Sequence, residues 1–359
     1  MRSFKILKEQ SDNEKLMLRK VCNVVRNKTM IMKTGIYIIS VDNTGSKYQQ
    51  WFYNYLVRIS KDGVAWIYVN ENSCLGELKD PEITDDNCTR EKLIKFVPIS
   101  NDTLPERITM IKMNLDCGER FSHIYRPLYL SSFSEMFFNP NPVIPLDYYK
   151  DPGIDNLWEY NNYVRQLDIV LAELFDIFKV VEPTVDNLKT YGNAIRNVII
   201  LSCTEVDALL KHILKTNGAE KKDDKYTTQD YFKLKATLRL DEYSLILTNL
   251  DSINEISPFR NWDTPKTTQT LPWYDAYNKV KHDRIENFEL ANLQIAIDST
   301  LAFATLLIAS FGYRNEIWND NIGRIITVKK EPLWSLNDFY LPPLCGREVD
   351  YVNHPSLKQ

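Results

Sequence analysis

Glycine is scarce in this chain, with 11 in 359 residues. Neither G-x-x-x-x-G-K-S/T nor G-x-G-x-x-G occurs, which argues against a Gly-rich nucleotide-binding scaffold. There is no G-x-S-x-G elbow and no His-Glu-x-x-His. The cysteines (Cys22, Cys74, Cys88, Cys117, Cys203 and Cys345) form no C-x-x-C and have no histidine at ligand spacing. They read as reduced, structural thiols of a cytosolic protein, and neither a metal site nor a cofactor is expected. His123, His212 and His354 have no partners at telling spacings. Glu77-Leu78-Lys79 carries half of a metal-dependent nuclease pattern, but it sits in a loop-like region without an upstream acid on a strand. A net charge of −4 excludes a surface that gathers nucleic acid everywhere, so any RNA contact needs a local basic patch. Residues 1–5 lack the apolar core of a signal peptide. The apolar run Ile295 to Phe311 is broken by Asp298, Ser299, Thr300 and Thr305, and falls short of the about 20 residues a bilayer needs. It reads as a buried bundle helix, with no membrane partner and a cytoplasmic location expected.

What is present is a globular composition: 44% apolar and 26% charged residues, with 20 tyrosines and 15 phenylalanines for cores and contact surfaces. The length suits two ordinary domains or one large one. Ile6 to Val25 reads as a short helix, made basic by Lys15, Arg19 and Lys20. From Gly35 to Tyr129 the pattern is β-rich. Gly35–Ser40, Trp51–Ile59, Val64–Val69, Ile94–Ile99 and Arg107–Met113 are expected strands, and Asp62-Gly63 is a hairpin signal. The prolines of Asn139 to Pro145 interrupt both helix and central strand. Beyond them the apolar spacing becomes helical over Leu157–Val180, Val185–Leu214, Tyr231–Leu250, the Trp273–Arg284 segment and Phe288–Phe311. The tail from Ile322 suggests a short strand at Arg324–Val328. The fold class expected is α+β: a β-rich N-terminal domain (small antiparallel sheet or barrel) followed by an antiparallel α-helical bundle. The boundaries are 1–138 for the β-rich domain, 139–152 for a proline-rich linker, 153–316 for the bundle, and 317–359 for a tail that could pack on the first domain.

The segment Trp273-Tyr274-Asp275-Ala276-Tyr277-Asn278-Lys279-Val280-Lys281-His282-Asp283-Arg284 concentrates groups able to handle a phosphate. On a helix, Trp273, Ala276, Tyr277 and Val280 form an apolar arc beside a polar stripe of Asp275, Asn278 and His282. A histidine beside an amide and cations can move a proton near an anionic ligand, while Lys281 and Arg284 stabilise charge on a phosphate. Glu205, at the edge of the preceding long apolar stripe, is placed to hydrogen-bond His282 or Lys281. Arg260, in the loop before the segment, could reach the site.

Asn278-Lys279-Val280-Lys281-His282 resembles the second half of the signature of the HEPN superfamily, helical-bundle proteins of bacterial toxin and phage-defence systems. Tyr277 stands where that family has its arginine. The resemblance covers Leu157 to Phe311. It implies a homodimer through the bundle and metal-independent RNA cleavage, in which the 2′-hydroxyl attacks the adjacent phosphate. On this reading His282 is the general acid/base and Asn278 orients it or the phosphate. Lys281 and Arg284 substitute for the missing arginine, while Tyr277, Arg260 and Glu205 line the substrate side. A protein partner or trigger would act at the N-terminal domain. The alternative is a catalytically degenerate HEPN-like binding or regulatory module that senses RNA, nucleotide or a protein partner.

Overall fold

The computed structural model describes residues 34–42, 52–60, 64–70, 73–79, 83–84, 87–89, 91–92, 108–129, 149–150, 156–248, 253–343 and 348–358. The protein is α+β, with seven α-helices and small antiparallel sheets among these residues. It divides into two compact units. One comprises 1–120, 127–150 and 334–350, and the other 121–126, 151–333 and 351–359. The expected helix at Ile6–Val25, the strand at Ile94–Ile99 and the proline connector at 139–145 lie outside the described residues.

The first unit carries a five-stranded sheet built from β1 (Thr34–Asp42), β2 (Phe52–Ser60), β3 (Val64–Asn70), β4 (Ser73–Lys79) and β5 (Ile108–Lys112), in the order β4-β3-β2-β1-β5. Tyr37 pairs with Val57 across β1 and β2, and Ile59 with Ala65 across β2 and β3. Ile36, Tyr37, Ile38 and Ile39 are all buried. Successive strand residues point to opposite faces, so both faces of β1 are covered at this point. That explains why the strand reads as a continuous apolar run rather than an alternating one. Arg58 is also buried and donates to Asp116 at 2.6 Å. Glu77-Leu78-Lys79 lies on β4, an edge strand, and not in a loop as the sequence suggested. Short strands follow in the chain: β6 (Glu119–Phe121), β7 (Leu128–Tyr129) and β8 (Tyr149–Lys150), the last two paired with each other.

The second unit holds α1 (Leu157–Phe178), α2 (Asn193–Thr216), α3 (Thr228–Leu238), β9 (Ser244–Leu247), α4 (Pro272–His282), α5 (Arg284–Asn287), α6 (Leu293–Phe311), α7 (Glu316–Asn321) and β10 (Ile326–Lys330). The strand β11 (Asp350–Val352) lies near the chain's end. α1 buries one stripe (Tyr160, Val164, Leu167, Leu171, Leu174), and α2 buries Ile195, Val198, Ile199, Val206 and Leu210. Both pack against α6, as does α4. α6 is buried on nearly every side, as a helix apolar all round must be. Its polar interruptions are absorbed locally: Thr300 and Thr305 donate to the carbonyls of Ala296 and Leu301, each at 2.8 Å. By length and composition α6 could cross a membrane, and 83% of its apolar window is buried inside the fold.

Three expected helices are clearly shorter than their apolar patterns. α2 starts at Asn193, eight residues after the sequence suggested. Residues 188–192 are held beside the start of α6, with Gln294 donating to the Leu188 carbonyl and Leu293 to that of Thr190. The third helix begins with a capping box between Thr227 and Asp230. It stops at Leu238, where Arg239 turns left-handed (φ 54°) and clamps Glu242 at 2.6 Å. Ser244–Leu247 is then a strand, β9, paired with β10. Its four apolar-rich residues carry no helical period, and pairing decides their state. The strand expected at Arg324–Val328 is β10, shifted by two residues. α6 does not begin at Phe288: α5 and a 3₁₀ turn at Phe288–Leu290 intervene, and Asn292 caps α6 at the Ile295 amide, 3.1 Å away.

Candidate functional site

α4 begins with Pro272, which lacks the donor a first-turn position does not need. It ends at His282, where Asp283 leaves helical geometry and caps α5 through the Glu286 amide. Trp273, Ala276, Tyr277 and Val280 are buried, as the apolar arc predicted, and Tyr274 is buried with them. The polar tips of that arc converge on a carboxylate of α2. Tyr274 donates to Asp207 Oδ1 at 2.5 Å, and Tyr277 approaches Oδ2 at 3.5 Å. Lys281 donates to the Tyr277 hydroxyl at 2.8 Å, and its ammonium lies 4.8 Å from that ring's centre. Burial raises the Asp207 pKa, opposed by the Tyr274 bond and the Lys281 charge. Burial, with Asp207 beside it, likewise raises those of Tyr274 and Cys203. The Tyr277 bond raises that of Lys281. The result is a hydrogen-bonded network in which the carboxylate is the acceptor for both phenols.

The residues singled out in the sequence do not assemble around His282. His282 and Arg284 are exposed at the end of α4 and in α5. Arg284 lies over the Phe288 ring at 5.4 Å, and no side-chain hydrogen bond or ion pair of His282 occurs among the described residues. Asn278 is half-buried. Lys281 faces Tyr277 instead of the histidine. Tyr277 is sealed in the α2–α4 seam rather than presented to a ligand. Glu205 is half-buried on α2, raised in pKa by burial, and its charge is felt by Tyr163 of α1. Asp207, two residues on, is therefore the acid that meets α4. Arg260 donates to Ser257 at 2.8 Å, with Glu255 at 3.9 Å. Arg196 of α2 reaches the Val280 carbonyl with two nitrogens, each at 3.4 Å, and so adds positive charge at the carbonyl end of α4. Lys279 is paired with Asp275 at 2.6 Å.

Asp207, Tyr274 and Arg196 were missed. The available signal was the spacing of Tyr274, Tyr277 and Lys281, which puts three polar tips on one helical stripe and demands a buried acceptor opposite. The histidines, without partners at telling spacings in the sequence, acquire them in the fold. His123 and His212 share Glu159, at 3.1 and 3.2 Å, and lie ring to ring with centroids 4.5 Å apart. Burial, then neighbouring His123, lowers the His212 pKa. His354 packs on Phe121 at 4.4 Å and accepts from the Ser356 amide at 3.3 Å.

No protein-family model, no curated protein and no solved structure matches this chain.

Proposed function

We propose that the helical part of this chain is a catalytically degenerate HEPN-like module that binds an RNA phosphate backbone. The reading takes the chain as a cytoplasmic protein with a β-rich N-terminal domain followed by an antiparallel helical bundle. The RNA-facing end of the bundle is where α4 passes into α5, and two copies pair through the bundle. The observation that carries it is the state of Tyr277. This residue holds the position of the family's arginine, yet its hydroxyl is buried and engaged by Lys281 and Asp207. A phenol so placed cannot stabilise a phosphorane-like transition state, and Lys281 is drawn away from His282 to serve it. His282 and Arg284 stay exposed where α4 ends, and Arg196 reaches the Val280 carbonyl at that end. Exposed cations there attract a polyanion without positioning an acid and a base around a scissile bond.

RNA binding measured by filter retention tests this. Replacing Arg284 and Arg196 together with glutamate should weaken binding about tenfold or more at low salt, with a shallower salt dependence. His282→Ala should weaken it much less. Wild-type protein that fails to retain RNA at low salt refutes the reading. The expectation of an endoribonuclease is the competing one, and it requires RNA cleavage that depends on His282.

A further inference from the structure

His123, Glu159 and His212 come from three separate places in the second unit: the segment 121–126, the first turn of α1 and the last half of α2. Their ligand atoms all lie within 4.8 Å of one another. His123 Nε2 stands 3.1 Å from Glu159 Oε2, and His212 Nε2 stands 3.2 Å from Oε1. Both imidazoles thus aim the same ring nitrogen at one carboxylate. We infer that these three residues form a binding site for a divalent transition cation, Zn²⁺ by its donor set, with a coordination position left open to solvent. The inference does not rest on the RNA reading and shares no residue with α4.

The two imidazole–carboxylate spacings suit such an ion. Zinc binds imidazole nitrogen at about 2.0–2.1 Å and carboxylate oxygen at about 2.0–2.2 Å. Neighbouring ligand atoms around it therefore stand about 3.0 Å apart at right angles and about 3.4 Å apart in a tetrahedron. The two observed N···O distances fall between these values. Two histidines and one carboxylate with free positions are also a recurring donor set for catalytic zinc and non-haem iron.

The surroundings hold the ligands as a metal site requires. Ser122 Oγ lies 2.7 Å from His123 Nδ1, and accepting the Nδ1 proton leaves the Nε2 lone pair facing the site. Asn156 donates to Glu159 Oε2 at 3.1 Å and also caps α1 at the Glu159 amide, so the carboxylate is held at both ends of its residue. The backbone that presents His123 is itself pinned. Asn217, fully buried, donates to the Ser122 carbonyl at 2.7 Å, and the Tyr125 amide donates to the Ala309 carbonyl at 2.9 Å. His123 sits in the left-handed region (φ 55°), a conformation that costs energy for a residue with a Cβ and clusters at functional positions. Phe311 meets the His123 ring edge-on at 5.4 Å and closes one side with apolar surface. His212 is the most exposed of the three, with its side chain at 39%, and marks the solvent side. Lys215, whose charge is felt by His212, is held by Asp224 at 3.3 Å.

Titration calorimetry of the EDTA-stripped full-length protein with ZnCl₂ near neutral pH tests the site. One equivalent of tight binding is expected. Glu159→Gln and His212→Ala should each weaken it by more than about 100-fold, and Ser122→Ala by about tenfold, the scale of a lost supporting hydrogen bond. Adding CoCl₂ to the wild-type protein needs no variant: the visible spectrum should show nitrogen and oxygen ligands without a thiolate charge-transfer band. Absence of stoichiometric zinc binding overturns the inference. So does binding undiminished in Glu159→Gln, or a cobalt–thiolate band, since either puts the ion on other groups such as the cysteines.

Discussion

Two carboxylates of the helical unit each face a pair of ring-bearing side chains. Asp207 lies against Tyr274 and Tyr277, and Glu159 against His123 and His212. The geometry is similar and the chemistry is not. Phenols keep their protons at neutral pH, and burial raises the Tyr274 pKa further, so in the Asp207 cluster the phenols donate to the carboxylate and turn no lone pair toward it. Imidazoles near neutral pH carry one proton on two nitrogens, so the Glu159 cluster can turn two lone pairs inward. The segment that stands out in the sequence thus folds into a closed structural seam. Histidines with no local pattern fold into a cluster capable of binding.

A third carboxylate sharpens the comparison, because it has neither phenols nor imidazoles. Asp298 on α6 is largely buried, accepts from Gln294 at 2.8 Å, and is pushed up to a pKa of about 6 by burial. A folded pKa above the ordinary value of 3.8 means the fold favours the protonated acid. That contribution is complete below about pH 4 and disappears as pH rises through about 6. At about 1.4 kcal/mol per pH unit, Asp298→Asn should gain up to about 3 kcal/mol over wild type above pH 6. The gain should vanish near pH 4. Urea denaturation across this range checks it, and a pH-independent difference would remove burial as the cause.

Next in size is the closed seam itself. Asp207→Ala strips the acceptor from two phenols and Lys281 and should cost about 2–3 kcal/mol. Asp207→Asn, which still accepts from Tyr274 and sheds the buried charge, should cost clearly less. Equal losses in the two variants would show that the charge, not the hydrogen bonds, matters. Tyr274→Phe should cost about 1–2 kcal/mol. Lys281→Met should cost at most about 1 kcal/mol, because the ammonium sits at the solvent edge. Both are measured by the same denaturation midpoints.

The long amphipathic stripes of α1 and α2, and the all-apolar α6, were legible because a single helix's burial is written in its own period. So was β1, as a short β-branched run. What depended on partners was not. Ser244–Leu247 reads like more helix until β10 is there to pair with it, and the first residues of the second helical stripe are claimed instead by the start of α6. At the candidate site, the buried arc of Trp273, Tyr277 and Val280 followed from spacing alone. The acid opposite it did not, since choosing Asp207 over Glu205 depends on the rotation of α2 against α4. His123 and Glu159 are 36 positions apart, and the left-handed turn that aims His123 leaves no residue pattern to read.

The claim that the α2–α4 seam is closed to chemistry is tested most directly by incubating total RNA and tRNA with the full-length protein in EDTA and resolving the products on a denaturing gel. RNA that is retained by the protein yet recovered intact is the predicted result. Defined fragments from wild type that vanish with His282→Ala would contradict it and restore His282 as a catalytic residue.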